Sequence, residues 1–277
     1  MAYYYELTTV VDLRSTYLVI VGTSDDALQL ALIRSVSSDI VKAAGRQFVP
    51  RVETRRYNPQ RSAQNGLLVL DDDLLSVTTL TNGDATTIAS TKYKFETPNT
   101  TPYWGIKLLS SSGLTWTYDE DPEEAISLVG IWGCDLGWQP NKSEWVTADT
   151  LGAAISTTTA TSITLTVAGS LEAGWLLKID SEYLYVSGAP VSTTATVVRG
   201  VNGSTAATHS NGATISYWRV EDGLEQLAKE CAAARYRLRN NPLAETFVAV
   251  DGTVFTTPKD VKAYIEKSML AMGLVRG

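Results

Sequence analysis

Apolar residues recur at helical spacing in four places along this 277-residue chain. Val10, Leu13, Tyr17 and Leu18 form a short stripe that predicts a helix over about residues 9–18. Leu28, Leu32, Val36 and Ile40 repeat every four residues, with Ala31 and Ala43 on the same face, and predict a second helix. It starts near Thr23, with Asp26 three residues on as a capping pair, and stops before Gly45. The Val21-Gly22 link makes the two a helical hairpin. A third stripe, Leu224, Leu227, Ala228, Cys231 and Leu238, predicts a helix over 221–239 that Asn241-Pro242 ends. Its acidic residues Glu221, Asp222 and Glu225 come first and Arg235, Arg237 and Arg239 last, as the helix dipole favours. The fourth stripe is Val261, Tyr264, Ile265, Ser268 and Met272, with Thr257 as N-cap, Pro258 at N1, Asp260 at N3 and Gly273 as terminator.

Between the helices the pattern changes to short β-rich runs. Strands are predicted at 48–56, 66–70, 74–80, 86–88, 93–95, 103–109, 114–118 and 126–132, with Asn82-Gly83 as a hairpin turn. The polar stretch 56–65 reads as an exposed loop. A second set falls at 162–167, 175–179, 182–186, 194–199 and 213–217, punctuated by Gly174, Gly188, Gly200, Gly203 and Gly212. The Ala/Thr/Ser-rich leader 147–161 reads as a flexible linker.

Composition breaks at the same borders. Residues 146–217 hold six charged residues and 23 Ser or Thr among 72, whereas both flanks are ordinarily charged. The predicted organisation is therefore an α+β scaffold over 1–145 and 218–277, interrupted by an inserted all-β barrel or sandwich over 146–217. The scaffold has an N-terminal helical hairpin, a small antiparallel β-region and C-terminal helices, the last of them within an arm at 253–277.

Charge and chemistry narrow the function. The net charge is −7, and an acidic chain gains little by neutralising phosphates, which argues against tight sequence-independent DNA binding. No apolar run reaches the length of a membrane span. The first residues carry neither a basic nor an apolar signal region, so no secretory signal is expected. Cys134 and Cys231 are the two cysteines and are expected as reduced, packed thiols. Asp71-Asp72-Asp73 offers oxygen ligands but no glycine-spaced loop follows, so a solvated turn is expected. His209 is the one histidine, which leaves no second histidine for a metal pair, and it reads as bonded within its own turn. Asp180 and Glu182 share a strand face and read as solvated rather than as a glycosidase pair. Trp104, Trp116 and Trp132 are expected in the core, and Trp138 and Trp145 as possible anchors between subunits. There is no dinucleotide fingerprint, phosphate loop or nucleophile elbow. The reading is non-enzymatic, with no cofactor and no metal.

Several segments, in order, resemble the head–tail connector (adaptor) family of long-tailed bacteriophages. They are Asp25-Asp26-Ala27-Leu28 and Ala44-Gly45-Arg46-Gln47-Phe48 at the ends of the second helix, and the run from Leu67 through Asp71-Asp72-Asp73 to Asn82-Gly83-Asp84. Tyr103-Trp104-Gly105-Ile106-Lys107-Leu108, the stretch from Ala125 to Gly133, Tyr236-Arg237 and Thr257-Pro258-Lys259-Asp260-Val261 complete the set. The chain departs from the compact pattern of the family by its extra length after the Ile131-Trp132-Gly133 strand. Within that extra length, Leu176 to Val186 followed by Val197 to His209 is similar to a small β-module that recurs in phage virion proteins.

The resemblance implies a structural virion protein in the neck, assembled in the host cytoplasm, with no membrane partner. Such a connector forms a homo-oligomeric ring, usually a dodecamer, that binds the portal and receives the next neck or tail-completion protein. Double-stranded DNA passes through its lumen, without sequence-specific binding, during genome ejection. The implied portal-binding residues are Phe255, Val261, Tyr264, Ile265, Met269, Met272 and Leu274. The same apolar face has a second possible destination, packing on the 221–239 helix. Asp119, Glu120, Asp121, Glu123 and Glu124 form an acidic tip suited to the channel or to an interface. The alternatives are a head-completion or tail-completion protein and, more remotely, a carbohydrate-binding accessory protein.

Overall fold

The computed structural model describes residues 2–18, 22–240, 246–248, 254–256 and 260–276, and of these the side chains other than 240, 246–248 and 254–256. In chain order they form α1 (Val10–Leu13), extended by a π-helical turn (Arg14–Leu18), then α2 (Asp26–Ala44), β1 (Arg51–Tyr57), α3 (Pro59–Ser62), β2 (Ala63–Gln64) and β3 (Leu67–Thr81). Next come β4 (Tyr93–Glu96), β5 (Tyr103–Leu108), β6 (Ile126–Trp132), β7 (Glu144–Thr150), β8 (Ser162–Thr164), β9 (Leu176–Ile179) and β10 (Glu182–Val186). The chain continues through β11 (Thr194–Arg199), β12 (Thr214–Arg219), α4 (Asp222–Asn240), β13 (Thr246–Val248), β14 (Val254–Thr256) and α5 (Val261–Ala271). The described residues thus make a mixed α and β fold with two six-stranded antiparallel sheets, a two-stranded ribbon and five α-helices.

The chain forms two compact units. One comprises Met1–Ala2, Gln47–Ser143 and Asn202–Ser204; the other comprises Tyr3–Arg46, Glu144–Val201 and Thr205–Gly277. The border near residue 144 lies where the composition changes. The helices, however, group with the second sheet rather than with the first, a different division from the one the composition suggests.

In the first unit the sheet order is β1-β6-β3-β5-β4, with β2 on β3. β1 pairs with β6 from Arg51↔Trp132 to Tyr57↔Ile126. β3 is one long strand where two were predicted. Its first part pairs with β5 and its second with β6, and the register shifts between Val69 and Leu74. The three aspartates sit in that stretch, within the strand rather than in a solvated turn. Leu68, Leu74, Leu80, Ile106, Ile126, Leu128 and Trp132 fill the core. Gly130 is required where β6 crosses β3, because a Cβ there would lie 2.5 Å from the Ser76 carbonyl. Residues 114–118 form no strand: Asn82, 3% exposed, holds that stretch by donating to the Thr115 carbonyl and accepting from the Thr117 amide. Residues 86–88 make only an isolated bridge, Thr81↔Thr87. The expected loop at 56–65 contains α3, capped by the Asn58 side chain.

In the second unit the sheet order is β7-β12-β9-β10-β11-β8. The expected linker at 147–161 begins as strand β7, which pairs with β12 from Thr150↔Thr214 to Glu144↔Arg219. Beyond β7, Leu151 bridges Leu165 beyond β8, and the Gly152 amide donates to the Thr164 carbonyl. The hydrogen-bonded path therefore returns from the last strand to the first, leaving little free edge. Leu177, Ile179, Leu184, Val186, Ala195 and Ile215 are fully buried inside.

The helices of this unit bury Ile33, Val36, Ile40 and Ala44 of α2, Leu224, Ala228 and Cys231 of α4, and Val261, Ile265 and Met269 of α5. The buried face of α2 runs Gln29, Ile33, Val36, Ser37, Ile40, Ala44, so Leu28 and Leu32 lie at its margin and Ala31 outside it. A strict four-residue repeat drifts off a 3.6-residue helix, and the true face follows the mixed three-and-four spacing. The helix stops before Gly45, as predicted, and Gly45 caps it in the left-handed region, at φ 64. Asp260 caps α5 by accepting from the Ala263 amide, one turn later than the N3 role predicted for it. The Val21 link, the stop at Asn241-Pro242 and the cap at Thr257-Pro258 lie outside the described residues. Both cysteines are free and buried.

Candidate functional site

The one histidine sits in a densely bonded polar cluster of the second unit. β9 ends at Ile179, and the Asp180-Ser181 turn, with Asp180 at φ 52, returns the chain as β10. Glu182 begins β10 with its side chain fully buried. Arg199, at the end of β11, donates to both its oxygens, Nε to Oε1 at 2.6 Å and Nη2 to Oε2 at 2.5 Å. The Gly200 amide donates to Oε1 at 3.1 Å and the Ala207 amide to Oε2 at 3.0 Å. His209 Nε2 lies 2.8 Å from Oε2, and His209 Nδ1 lies 2.8 Å from Asp180 Oδ2. Burial alone would push the Glu182 carboxyl up; the Arg199 hydrogen bonds, the Ala207 amide and His209 outweigh it and hold the group below its ordinary value.

This arrangement corrects two expectations. Glu182 and Asp180 do not share a solvated face: Glu182 is buried on the strand, while Asp180 lies in the turn with its side chain 68% exposed. His209 bonds not within its own turn but to residues 27 and 29 positions away. The signal was present in the run Arg199-Gly200-x-Asn202-Gly203 followed by Ala207 and His209. Each of Arg199, Gly200, Ala207 and His209 reaches Glu182, which the sequence places 17 to 27 residues earlier. With its oxygens occupied and no exposure, Glu182 has no lone pair to offer a substrate. Its chemistry is to hold a loop closed.

Asn202 and Gly203 of the same run belong to the first unit. There the Val52 amide donates to the Asn202 carbonyl at 2.8 Å and Asn202 Nδ2 donates to the Pro50 carbonyl at 3.1 Å. Gly203, at φ +83, lies so close to Val52 that a Cβ would stand 1.8 Å from its carbonyl oxygen. No side chain fits there.

The first unit has its own ionic cluster. Asp72 receives Arg51 at 2.6 Å and Arg55 at 2.8 Å, and Asp71 receives Arg55 at 2.8 Å and the Tyr57 hydroxyl at 2.7 Å. Burial would raise the Asp71 carboxyl, but the hydrogen bonds from Tyr57 and Arg55 hold it down. The same burial, followed by the bond to Asp71, pushes the Tyr57 hydroxyl up. Arg55 also lies over the Trp132 ring at 4.6 Å. Two of the three aspartates are thus engaged by cations already present in the chain, and among the described residues no group of three or more acidic, His or Cys side chains is arranged to hold a metal.

The residues implied for partners fall in two kinds of place. Asp119, Glu120, Asp121, Glu123 and Glu124 share one exposed segment ahead of β6. Arg61 meets Glu123 there at 3.0 Å, both side chains solvated, and the Glu123 amide donates to Asp121. In α5 the apolar face is already occupied. Val261, Ile265, Met269 and Leu274 are buried at 7%, 0%, 0% and 2% exposure, and α5 packs on α2 and α4. Their burial within the chain matches the packing destination rather than a free docking face. Tyr264 is 37% exposed and donates to Glu230, Met272 is half-buried, and the Phe255 side chain lies outside the described residues. Trp132 is buried and Trp116 half-buried, but Trp104 is 42% exposed instead of packed in the core. Trp138 is 46% exposed, whereas Trp145 packs against Tyr183 and Trp218.

No protein-family model matches the chain, and no curated protein matches it significantly. No helix among the described residues is long and apolar enough to cross a membrane.

Proposed function

We propose that this protein is a structural component of a tailed-phage virion, a ring-forming connector that binds the portal and continues the DNA channel toward the tail. The observation that carries this reading is the ordered set of connector-like segments. Among the described residues they lie on α2, β3, β5, β6 and α4, and the last of them ends at Asp260-Val261, where α5 begins. The pairing of the Glu182, Asp71 and Asp72 carboxylates with arginines of the same chain supports a structural role over a catalytic one. In this reading residues 146–217 are an accessory β-module inserted into the connector scaffold. The portal-facing side of α5 is then its outer surface, which carries Tyr264 and the 67%-exposed Leu270, because the inner face is occupied.

The test is assembly of particles without the protein. A phage in which its gene is disrupted should accumulate DNA-filled heads and separate tails. Intact tailed particles lacking the protein would overturn the reading.

A further inference from the structure

The loop from residue 200 to residue 209 is tied down at both ends by one carboxylate. The Gly200 and Ala207 amides both donate to Glu182. His209 closes the loop, exchanging main-chain hydrogen bonds with Ile155 at 3.0 and 2.9 Å. Its side chain is 1% exposed and stands between two carboxylates at 2.8 Å each. A carboxylate oxygen only accepts, and a neutral imidazole has one N–H and one bare lone pair. Only the doubly protonated ring gives a hydrogen to both neighbours.

We propose that His209 is a proton-controlled latch between the loop and the Asp180-Ser181 turn. Charged, it holds Asp180 through Nδ1 and Glu182 through Nε2. Uncharged, it keeps Glu182 and releases Asp180. The choice follows from burial. The Asp180 side chain is 68% exposed and can turn to water when Nδ1 loses its hydrogen, whereas the Glu182 side chain is fully buried and held by Arg199 and two amides, so a bare Nε2 would leave two lone pairs facing each other at 2.8 Å with no water to part them.

The charged groups facing the ring are Asp180 from the turn, Glu182 from β10 and, across the Glu182 carboxylate, Arg199 from β11. Ile155 contributes main chain only. With the ring charged the cluster holds two cations and two carboxylates and is neutral. Without the proton it carries one excess negative charge. The latch is therefore closed on the acid side of the ring's titration and opens as pH rises through it.

The chain has a single histidine, so its imidazole nitrogens are read without ambiguity in a long-range proton–nitrogen spectrum of the full-length protein. As pH rises in the folded chain the expected order is protons on both nitrogens first, then loss of the Nδ1 proton with Nε2–H retained. A ring that never carries both protons while the chain is folded, or one that retains Nδ1–H instead, overturns the proposal. Asp180→Asn gives a second reading that does not depend on altering the buried residues. The amide can donate to the bare Nδ1, so the contact survives loss of the proton. The pH-dependent shift of the residue 180 and 181 amides should shrink at least about twofold relative to the parent chain, since an amide both donates and accepts. An unchanged pH response in Asp180→Asn would also overturn it.

Discussion

Glu182 accepts from Arg199, Gly200, Ala207 and His209 at the closed end of a sheet. Replacing it with glutamine keeps the shape but leaves the Arg199 guanidinium, 6% exposed, without its counter-charge. Breaking one side of such a buried pair costs about 3–5 kcal/mol. Denaturant unfolding of Glu182→Gln should show a loss of that size, and a change under about 0.5 kcal/mol, the usual surface effect, would mean the cluster is not structural. Cys231 gives a pH test. Burial first, then the Glu230 charge, pushes its thiol up to about 12. The unfolded thiol ionises near about 8.5, so above that pH the unfolded chain binds fewer protons and stability falls as pH rises toward the folded value. Native Cys231 should resist alkylation at mildly alkaline pH and react on unfolding; rapid native alkylation would contradict its burial. At this scale the sequence exposed residue types but not their partners. Arg199, Gly200, Ala207 and His209 stood out as a run, yet nothing local says that they converge on a carboxylate one hairpin away. Asp71-Asp72-Asp73 looked solvated because the cations that hold two of them, Arg51 and Arg55, lie on another strand.

At the scale of elements, strands with clean alternation were legible. β6 and β11 fall on the predicted residues, because one more deeply buried face fixes a period of two; β10 does too, although all five of its residues are buried. β7 was not legible, since Glu, Ala and Asp, which strands disfavour, break up its run and its pairing with β12 supplies the structure. The long β3 was read as two strands because a charged run interrupts its apolar pattern, and pairing to different neighbours on either side keeps it continuous. The two destinations open to the α5 face make a sharp contrast in mutants. Ile265 is fully buried, so Ile265→Ala should cost about 2–4 kcal/mol of folding stability, as large-to-small core changes do. Leu270→Ser, at an exposed position, should change stability by less than about 0.5 kcal/mol. Under the connector reading Leu270→Ser and Tyr264→Ala weaken capture of the portal. Equal melting temperatures for Ile265→Ala and the parent chain would show that the face is not packed in solution.

For the whole molecule, the composition changes near residue 145, close to where one unit gives way to the other, and the grouping of the helices does not follow from that change. Which elements share a core depends on long-range pairs such as Tyr4 stacked on Tyr185 at 3.8 Å and the Thr9 hydroxyl donating to Glu172, and no periodicity reports these. The acidic tip belongs to this scale as well. Converting Asp119, Glu120, Asp121, Glu123 and Glu124 to amides removes one solvated ion pair, which costs at most about 1 kcal/mol. Folding should be nearly unchanged, while binding of duplex DNA at low salt should increase as repulsion of phosphates is lost. Unchanged DNA binding would leave the tip as a solvated connection. The central claim is that this chain is a ring-forming connector, and the most direct measurement is the native mass of the purified protein alone and mixed with its portal. The account predicts a closed ring, a dodecamer in the connector pattern, seated on the portal as one defined particle. A monomer under both conditions, with no mass added to the portal, would contradict it.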